Sequence, residues 1–296
     1  MELKKSLSGI KKNILLKNYT TFKIGGRAKY FFVAKTKKDL IKAVMMAKKF
    51  KLPFFILGSG SNILISDKGF NGLLIKNEAR NFKIKGKRII AESGAILDKI
   101  IKAAINNGLS GLEKGSGIPG TLGGAVYGNA GWPRGGWAIG DLVEKVEILW
   151  PNGKIEKVGS KWLSFNYRNS HFKKIKINKP IILEVILKLK KGKKENLEKE
   201  RCEVLETRIK KIPAGFSAGS IFKNPHQKPA GFLIEKCGLK GKKFGSVKIS
   251  DKHANFIVNL GDGKARDVKK MIDLIKKKVK NRFKTDLEEE IQFLGF

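Results

Sequence analysis

The sequence predicts an α+β protein with much antiparallel sheet. Two patterns support this: short apolar runs bounded by turn residues alternate with segments in which apolar residues recur at helical spacing. In addition, the tight turn Pro151-Asn152-Gly153-Lys154 joins two successive strand candidates, which is typical of an antiparallel hairpin. The chain has 296 residues, a length that suits two or three domains.

Helix and strand candidates alternate in the first part of the chain. Apolar spacing predicts helices over 40–47 and 97–105. A capping box at Thr36 opens the first helix, and Gly108 is expected to end the second. Short apolar runs predict strands at 54–57, 63–65 and 88–91.

The second part of the chain continues in the same manner. The predicted strands are 143–150, 155–158, 181–189 and 290–293, and the predicted helices are 195–211 and 266–283. A change of composition near 190–196 is the best candidate for a domain boundary. Residues 108–140 form a long glycine-rich and irregular segment, and such segments inside compact domains are usually functional.

The charge of the chain is strongly positive. Its 63 Lys and Arg against 26 Asp and Glu give a formal net charge of +37. Such a charge attracts polyanions, so a nucleic-acid binder has to be considered. The surplus is lysine scattered along the chain, without a zinc-finger or RNP1 spacing to organise it. We therefore favour a lysine-rich solvated surface and expect no specific nucleic-acid partner.

Cysteine and histidine usage argues against a disulfide framework and against a metal site. Cys202 and Cys237 lie in no CxxC pattern and are expected to be free thiols. His171, His226 and His253 are far apart and match no metal-ligand spacing. The chain has no apolar run long enough for a membrane span and no signal-peptide pattern, so we expect a cytoplasmic protein without membrane contact.

The segment Gly58-Ser59-Gly60-Ser61-Asn62 directly follows an apolar strand candidate. Glycine lets the backbone approach a ligand closely, and successive N–H groups can bind an anion. The segment therefore suits a pyrophosphate, although an ordinary turn explains it equally well. It matches neither the Rossmann nor the Walker A pattern.

The segment 115–131 is more specific, because seven of its 17 residues are glycine. Glycine costs backbone entropy on folding, and the apolar residues between the glycines argue against a flexible loop. The composition fits a large flat ligand that lies against bare backbone.

Within it, Ile118-Pro-Gly-Thr-Leu-Gly-Gly-Ala-Val-Tyr-Gly-Asn-Ala-Gly131 resembles the flavin-contacting signature of the UDP-N-acetylenolpyruvoylglucosamine reductases. Other segments are similar to that family in the same order, namely 21–26, 57–64, 167–170, 219–225, and 230–241 through 253–255. The resemblance covers residues 18–296.

The resemblance implies an FAD-binding domain of the vanillyl-alcohol-oxidase (PCMH) type in two lobes, followed by a smaller α+β substrate domain. We expect the lobes at 1–75 and 76–193, and the substrate domain with a C-terminal catalytic strand at 194–296. The short run from Ser170 to Pro180 resembles the family's shorter form, which lacks a tyrosine-bearing loop over the substrate.

The implied reaction is the reduction of UDP-N-acetylglucosamine enolpyruvate to UDP-N-acetylmuramate in peptidoglycan synthesis, with noncovalent FAD as cofactor and NADPH as co-substrate. The flavin-binding residues implied by the resemblance are Gly58, Ser59, Gly60, Ser61, Asn62, Gly117, Pro119, Gly120, Thr121, Gly123, Gly124 and Asn129. The implied substrate-binding residues are Tyr167, Lys211 and Asn224.

Three residues match the family's catalytic positions. Arg168 is suited to grip the substrate carboxylate and to stabilise developing negative charge. Ser220 matches the proton donor, and Glu290 matches the third residue, on a predicted strand whose alternation puts Glu290, Gln292 and Leu294 on one face. Taken alone, each has a plainer interpretation: a structural ion pair, a backbone hydrogen bond and a solvated acidic run.

The chain departs from the family at 132–137, where Trp-Pro-Arg-Gly-Gly-Trp replaces the usual Ala-Tyr-Gly-Gly and includes an extra residue. The shape of this loop at the flavin edge is therefore not predicted. Two other functions stay open: another FAD-dependent oxidoreductase of the same fold, and a polyanion-binding protein without catalysis. No histidine precedes His171, which disfavours a covalent flavin. We expect a monomer that binds a UDP-sugar.

Overall fold

The computed structural model describes residues 6–132, 135–175, 177 and 179–296, and it confirms an α+β fold. The strands are β1 (Lys11–Leu15), β2 (Arg27–Ala34), β3 (Phe54–Leu57), β4 (Ile63–Ile65), β5 (Phe70–Asn77), β6 (Phe82–Lys85), β7 (Arg88–Glu92), β8 (Leu109–Ser110), β9 (Gly131–Trp132), β10 (Trp137–Ala138), β11 (Val143–Leu149), β12 (Ile155–Gly159), β13 (Ile181–Lys188), β14 (Lys190–Lys191), β15 (Lys243–Phe244), β16 (Val247–Ile249), β17 (Ile257–Asn259) and β18 (Gln292–Leu294). The helices are α1 (Lys37–Lys49), α2 (Leu97–Asn106), α3 (Leu122–Gly128), α4 (Ser160–Leu163), α5 (His171–Lys174), α6 (Lys194–Lys211), α7 (Ala230–Lys236) and α8 (Ala265–Phe283).

The chain divides into two compact units, each assembled from segments that are separate in sequence. Unit 1 comprises the residues up to Ile10, Phe32–Gly58 and Ile75–Arg208. Unit 2 comprises Lys11–Phe31, Ser59–Leu74 and Ile209–Phe296. The three-domain division expected from the sequence stays a prediction.

Unit 1 contains a five-stranded antiparallel sheet in the order β12-β11-β13-β7-β6. The predicted hairpin turn between β11 and β12 is confirmed. Trp150 N–H donates to the Lys154 carbonyl at 2.8 Å, and Gly153 has a φ of +88°, which glycine adopts without strain.

The core of unit 1 forms where α2 packs with this sheet. Leu97, Ile100 and Ile101 of α2 join Val146 and Val185 of the sheet in one buried apolar cluster. Each fully buried side chain of this size contributes about 1.5–3 kcal/mol. The helical spacing predicted this buried face correctly.

Two local predictions in unit 1 have different outcomes. The capping box is confirmed, because Thr36 Oγ1 accepts from Asp39 N–H at 3.1 Å and Asp39 Oδ2 accepts from Thr36 N–H at 3.0 Å. The glycine-rich segment is not irregular throughout, since it forms α3 behind Thr121, whose side chain caps the helix. Glycine lowers helix propensity, which hid this helix from a propensity argument.

Unit 2 combines α7 and α8 with a three-stranded antiparallel sheet, β15-β16-β17, and with a parallel pair of β4 and β18. Its core is formed largely by the apolar stripe of α8, namely Val268, Met271, Ile272, Ile275 and Val279. Val247, Ile249 and Ile257 of the sheet belong to the same cluster.

The last predicted strand begins two residues later than expected. Glu290 N–H donates to the Ile221 carbonyl at 2.8 Å, whereas Gln292 N–H donates to the Asn62 carbonyl at 3.0 Å. The chain therefore changes its partner segment between these residues, and regular β18 starts at Gln292. Strand alternation does not place Glu290 on one face with Gln292 and Leu294, so that expectation was wrong.

Within the described part of the chain, no helix combines the length and the apolar character that crossing a bilayer requires.

Candidate active site

In unit 1, the start of the small-residue loop meets the glycine-rich segment. A Cβ on Gly58 would lie 2.6 Å from Thr121 Oγ1, so only glycine fits here without a shift. Thr121 Oγ1 accepts from Gly124 N–H at 3.3 Å at the start of α3. The structure thus brings together Gly58, Thr121 and Gly124, three of the residues predicted to bind the cofactor.

Two further glycines of this segment, Gly123 and Gly120, are also required by the local structure. A Cβ on Gly123 would lie 2.7 Å from Ser93 Cβ and 2.8 Å from the Ser93 carbonyl oxygen. Gly120 has a φ of +147°, and its carbonyl accepts from Leu97 N–H at 3.1 Å. Pro119 directly precedes Gly120 in this turn. Packing against Ser93 and the positive φ therefore explain Gly123 and Gly120 within the protein itself.

Asn129 ends α3 in the left-handed conformation, with a φ of +45°. Its side-chain amide donates to the Asn166 carbonyl at 2.9 Å, and its oxygen accepts from Gly140 N–H at 3.0 Å. Both ends of the side chain therefore link loops of the protein. Its role in binding the cofactor stays a prediction.

Arg168 lies on a tight turn closed by two hydrogen bonds between Asn166 and Asn169, of 3.1 and 3.0 Å. Its φ of +52° is uncommon for a residue with a side chain, and such backbone strain clusters at functional sites. The guanidinium donates to the Gly131 carbonyl at 2.9 Å and lies 5.5 Å from the ring of Tyr167, which is partly exposed. The strained turn places Arg168 against the glycine-rich segment.

Arg208, in the last turn of α6, is a site residue that the sequence argument missed. A Cβ on Gly117 would lie 2.9 Å from Arg208 Cδ, and the guanidinium carbon lies 5.8 Å from the Trp132 ring. Its Nε and one terminal nitrogen are buried without a hydrogen-bond partner among the described residues. Burial, and then the charge of Arg168, lower the pKa of Arg208. A buried guanidinium in this state calls for an anionic acceptor.

A helical pattern in the sequence could have revealed Arg208. Leu197 and Val204 are the buried apolar residues of α6, and Arg208 follows Val204 by four positions on the same stripe. The sequence therefore puts Arg208 on the buried face of a helix whose other residues are mostly charged. Of the departing loop 132–137, Pro133 and Arg134 lie outside the described residues, so the extra residue stays untested.

In unit 2, Ser220 lies between two partner segments. It forms an antiparallel bridge with Phe256, and the neighbouring Ile221 accepts from Glu290 N–H at 2.8 Å. Asn255 fixes this segment, because its side chain accepts from Phe222 N–H at 3.0 Å and donates to the Phe222 carbonyl at 2.8 Å. The structure thus places the segment that carries Ser220 beside the backbone of Glu290. The catalytic roles of both residues stay predictions.

The second half of the small-residue loop reaches the same place in unit 2. Asn62 Nδ2 donates to the Glu290 carbonyl at 3.1 Å. Gly60 has a φ of +68° and accepts from Thr21 N–H at 3.1 Å, and Thr21 Oγ1 donates to the Ser217 carbonyl at 2.7 Å. Ser59 and Ser61 lie within this fixed loop.

The three consecutive glutamates 288–290 differ in their surroundings. Glu288 is exposed and pairs with Lys223, and Glu289 pairs with Lys276 at 2.9 Å. Glu290 alone is held through both backbone groups, by the Ile221 carbonyl and by Asn62. The assignment of the catalytic position to Glu290 stays a prediction.

The predicted substrate residues of unit 2 lie apart in the chain. Lys211 is the exposed last residue of α6. The side-chain oxygen of Asn224 accepts from Ala230 N–H at 3.0 Å, at the start of α7. Their roles, like that of Tyr167, stay predictions. Among the described residues no group of three His, Cys, Asp or Glu side chains could hold a metal ion.

Comparison with known proteins gives two matching family models. Residues 28–159 match a family described as an FAD binding domain, and residues 211–294 match the C-terminal domain of UDP-N-acetylenolpyruvoylglucosamine reductase.

Individual proteins agree over the whole length. The chain is 44% identical to UDP-N-acetylenolpyruvoylglucosamine reductase from Caldicellulosiruptor bescii, covering 100% of this chain and 94% of that protein. It is 40% identical to the enzyme of that name from Thermotoga maritima, covering 93% and 95%. The crystal structure of the Thermus caldophilus reductase superposes with a TM-score of 0.82 at 35% identity, covering 96% and 98%.

The close approach at Gly123 yields a stability prediction. Gly123→Ala should lower the free energy of unfolding by about 1–3 kcal/mol, because the added methyl group meets the backbone and side chain of Ser93. Gly128→Ala, in the same helix with nothing within 4 Å of its Cβ, should be neutral or stabilising by about 0.5–1 kcal/mol. Urea unfolding of the flavin-free proteins measures both, and equal effects would contradict the packing argument.

Proposed function

Since this chain belongs to the UDP-N-acetylenolpyruvoylglucosamine reductases and is an FAD-dependent oxidoreductase, we propose that it reduces UDP-N-acetylglucosamine enolpyruvate to UDP-N-acetylmuramate with NADPH. The observation that carries the proposal is the 44% identity over the full length of the chain. The step belongs to peptidoglycan precursor synthesis, and we place it in the cytoplasm. Membership of an enzyme family leaves no reason to keep the alternative of a polyanion-binding protein without catalysis.

The residues present in unit 1 fit the FAD that this family uses. Gly58 and Gly124 leave accessible backbone beside Thr121, and Arg208 and Ser116 have buried polar atoms without partners among the described residues. Flat aromatic ligands with phosphates suit such a surface. The chemistry that FAD would supply here when bound is the transfer of a hydride from NADPH to the β-carbon of the enolpyruvyl group.

Arg168 would stabilise the charge that this reduction creates. Hydride addition at the β-carbon moves negative charge toward the α-carbon and the substrate carboxylate. A guanidinium keeps its positive charge at all relevant pH values and can bind a carboxylate with two parallel hydrogen bonds. The strained turn that carries Arg168 fixes its position before substrate binds, which is the arrangement that electrostatic stabilisation requires.

Ser220 would complete the reaction by giving its proton to the α-carbon. A serine hydroxyl is a weak acid, so it needs a strongly basic acceptor, which the enolate-like intermediate provides. The proton must then be replaced. Glu290, whose backbone pairs with the residue after Ser220, is our candidate for the relay that restores it.

The first test measures the flavin content of the purified protein and the substrate dependence of its NADPH oxidation. We expect flavin absorbance, release of the flavin into the supernatant on acid precipitation, and NADPH oxidation that depends on the enolpyruvyl substrate. UDP-N-acetylglucosamine, which lacks the enolpyruvyl group, should give no turnover. Flavin that NADPH reduces but the enolpyruvyl substrate does not reoxidise without oxygen would disprove the assigned substrate.

The variant Ser220→Ala separates the two half-reactions. It should keep its flavin and still be reduced by NADPH, because the hydroxyl acts only after hydride transfer. Turnover of the enolpyruvyl substrate should fall at least about a hundredfold, the usual scale for a proton-transfer group. Stopped-flow absorbance measures each half-reaction, and near-normal turnover would exclude Ser220 as the donor.

The acidic run offers its own controls. Glu290→Gln should slow reoxidation of the reduced flavin by substrate about a hundredfold or more and leave reduction by NADPH unchanged. Glu288→Gln removes an exposed ion pair and Glu289→Gln a partly buried one, and neither should slow either half-reaction by more than a few-fold. A severe effect at Glu289 instead would show that the alignment is displaced by one residue, and three mild effects would remove the acidic run from the mechanism.

A further inference from the structure

Lys76, on β5, is a cation of unit 1 that the mechanism above does not use. Its ammonium group donates a hydrogen bond to the Gly58 carbonyl, the first residue of the small-residue loop. An ammonium has three N–H donors, so this carbonyl satisfies one of them. Burial lowers the pKa of Lys76, and the charge of Glu78 only partly offsets that effect. The protein itself therefore leaves this buried charge incompletely compensated.

Lys37 is a partly buried lysine of unit 1 whose charge is compensated by carboxylates of the protein. Its ammonium lies 2.8 Å from Glu147 and 3.3 Å from Glu184. Burial opposes its charge, but the hydrogen bond and charge of the two glutamates outweigh burial and raise the pKa of Lys37. Across the described chain, no carboxylate oxygen lies within 4 Å of the Lys76 ammonium. Lys76 thus lacks the counter-ion that Lys37 has.

The position of Lys76 indicates what the missing counter-ion is. Gly58 directly contacts Thr121 at the start of the glycine-rich helix α3, so the Lys76 ammonium lies beside the two glycine-rich loops that are predicted to bind the cofactor. Backbone donors with a nearby ammonium bind phosphate oxygens. Lys76 is not part of the glycine-rich signature or of the other segments that resemble the family.

We propose that Lys76 binds the diphosphate of a nucleotide at Gly58, and that this nucleotide is FAD. UDP-sugars also carry a diphosphate, and the experiment below separates the two sources. The inference rests on flavin binding and not on the identity of the reduced substrate.

The test compares two flavins on four proteins freed of cofactor. Lys76→Met removes the charge, and Lys76→Arg restores it. Lys48→Met is the matched control, because Lys48 is also partly buried in unit 1 and donates to a backbone carbonyl, that of Pro151, at 2.9 Å. Quenching of flavin fluorescence gives the dissociation constants of FAD and of riboflavin, which lacks both phosphates, at two salt concentrations.

We expect Lys76→Met to weaken FAD binding about ten- to a hundredfold and to leave riboflavin within about twofold, since a hydrogen bond to a charged group is lost. The salt dependence of FAD binding should also become shallower. Lys76→Arg should recover most of the affinity, and Lys48→Met should match the unmodified protein. If Lys76→Met does not fold, Lys76→Gln keeps a donor for the Gly58 carbonyl without the charge and should show the same selective loss.

Two outcomes would overturn the proposal. Equal weakening of FAD and riboflavin would mean that Lys76 only supports the loop. Unchanged FAD affinity, with weaker binding of UDP to Lys76→Met, would assign Lys76 to the substrate's diphosphate instead. Neither outcome bears on the reaction itself, whereas a protein that binds no flavin at all would contradict the cofactor.

Discussion

Hydrogen bonds among three distant segments of unit 2 determine where its proposed catalytic groups lie. The segments around Asn62, Ser220 and Glu290 are held to one another through Ile221 and through the Asn62 side chain. None of these hydrogen bonds belongs to a long regular sheet. Each one therefore matters more for the position of its segment than a hydrogen bond inside a long sheet would. Side-chain amides, of Asn62 and of Asn255, take the place of missing backbone partners. The position of the Ser220 hydroxyl therefore depends on residues that take no part in the chemistry.

The excess of positive charge affects individual side chains as well as the net charge of the chain. Lysine and arginine outnumber the acidic residues by more than two to one, so most cations have no carboxylate available. Where a cation is exposed, water compensates it at little cost. Lys76 and Arg208 are partly buried, and the described protein offers each of them fewer hydrogen-bond acceptors than the side chain has donors. Lys76 lies beside Gly58 and Arg208 beside Gly117, both in loops that resemble flavin-binding segments.

Local rules of the sequence predicted much of the fold. The cap at Thr36, the hairpin turn at Gly153 and the buried face of α2 follow from residue type and spacing, and all three are present. The start of β18 could not be predicted, because it depends on the residue at which the backbone hydrogen bonds pass from one neighbouring segment to another. The helix α3 was not predicted because glycine disfavours helices. Why glycine is needed at these positions is clear only from contacts in the structure, such as that of Gly123 with Ser93.

The candidate site was predicted in part. The resemblance identified the loops and the three predicted catalytic positions. It could not show that Gly58 contacts Thr121, or that the Asn129 side chain forms hydrogen bonds within the protein. Arg208 and Lys76 were missed because a single charged residue carries no motif. They differ from exposed lysines and arginines by their burial and by having no ion-pair partner among the described residues.

The discontinuity of unit 2 has a consequence for how the protein is made. Residues 11–74 supply Phe22, Ile24 and Leu64 to a core whose remaining members all follow Ile209. At about 5–20 residues per second, the 134 residues between Leu74 and Ile209 take roughly 7–27 s to synthesise. During that interval the residues that pack against these three apolar side chains in the folded core have not yet been synthesised. Nascent chains of this protein are therefore exposed to aggregation, and to capture by chaperones, for far longer than a unit that is continuous in sequence.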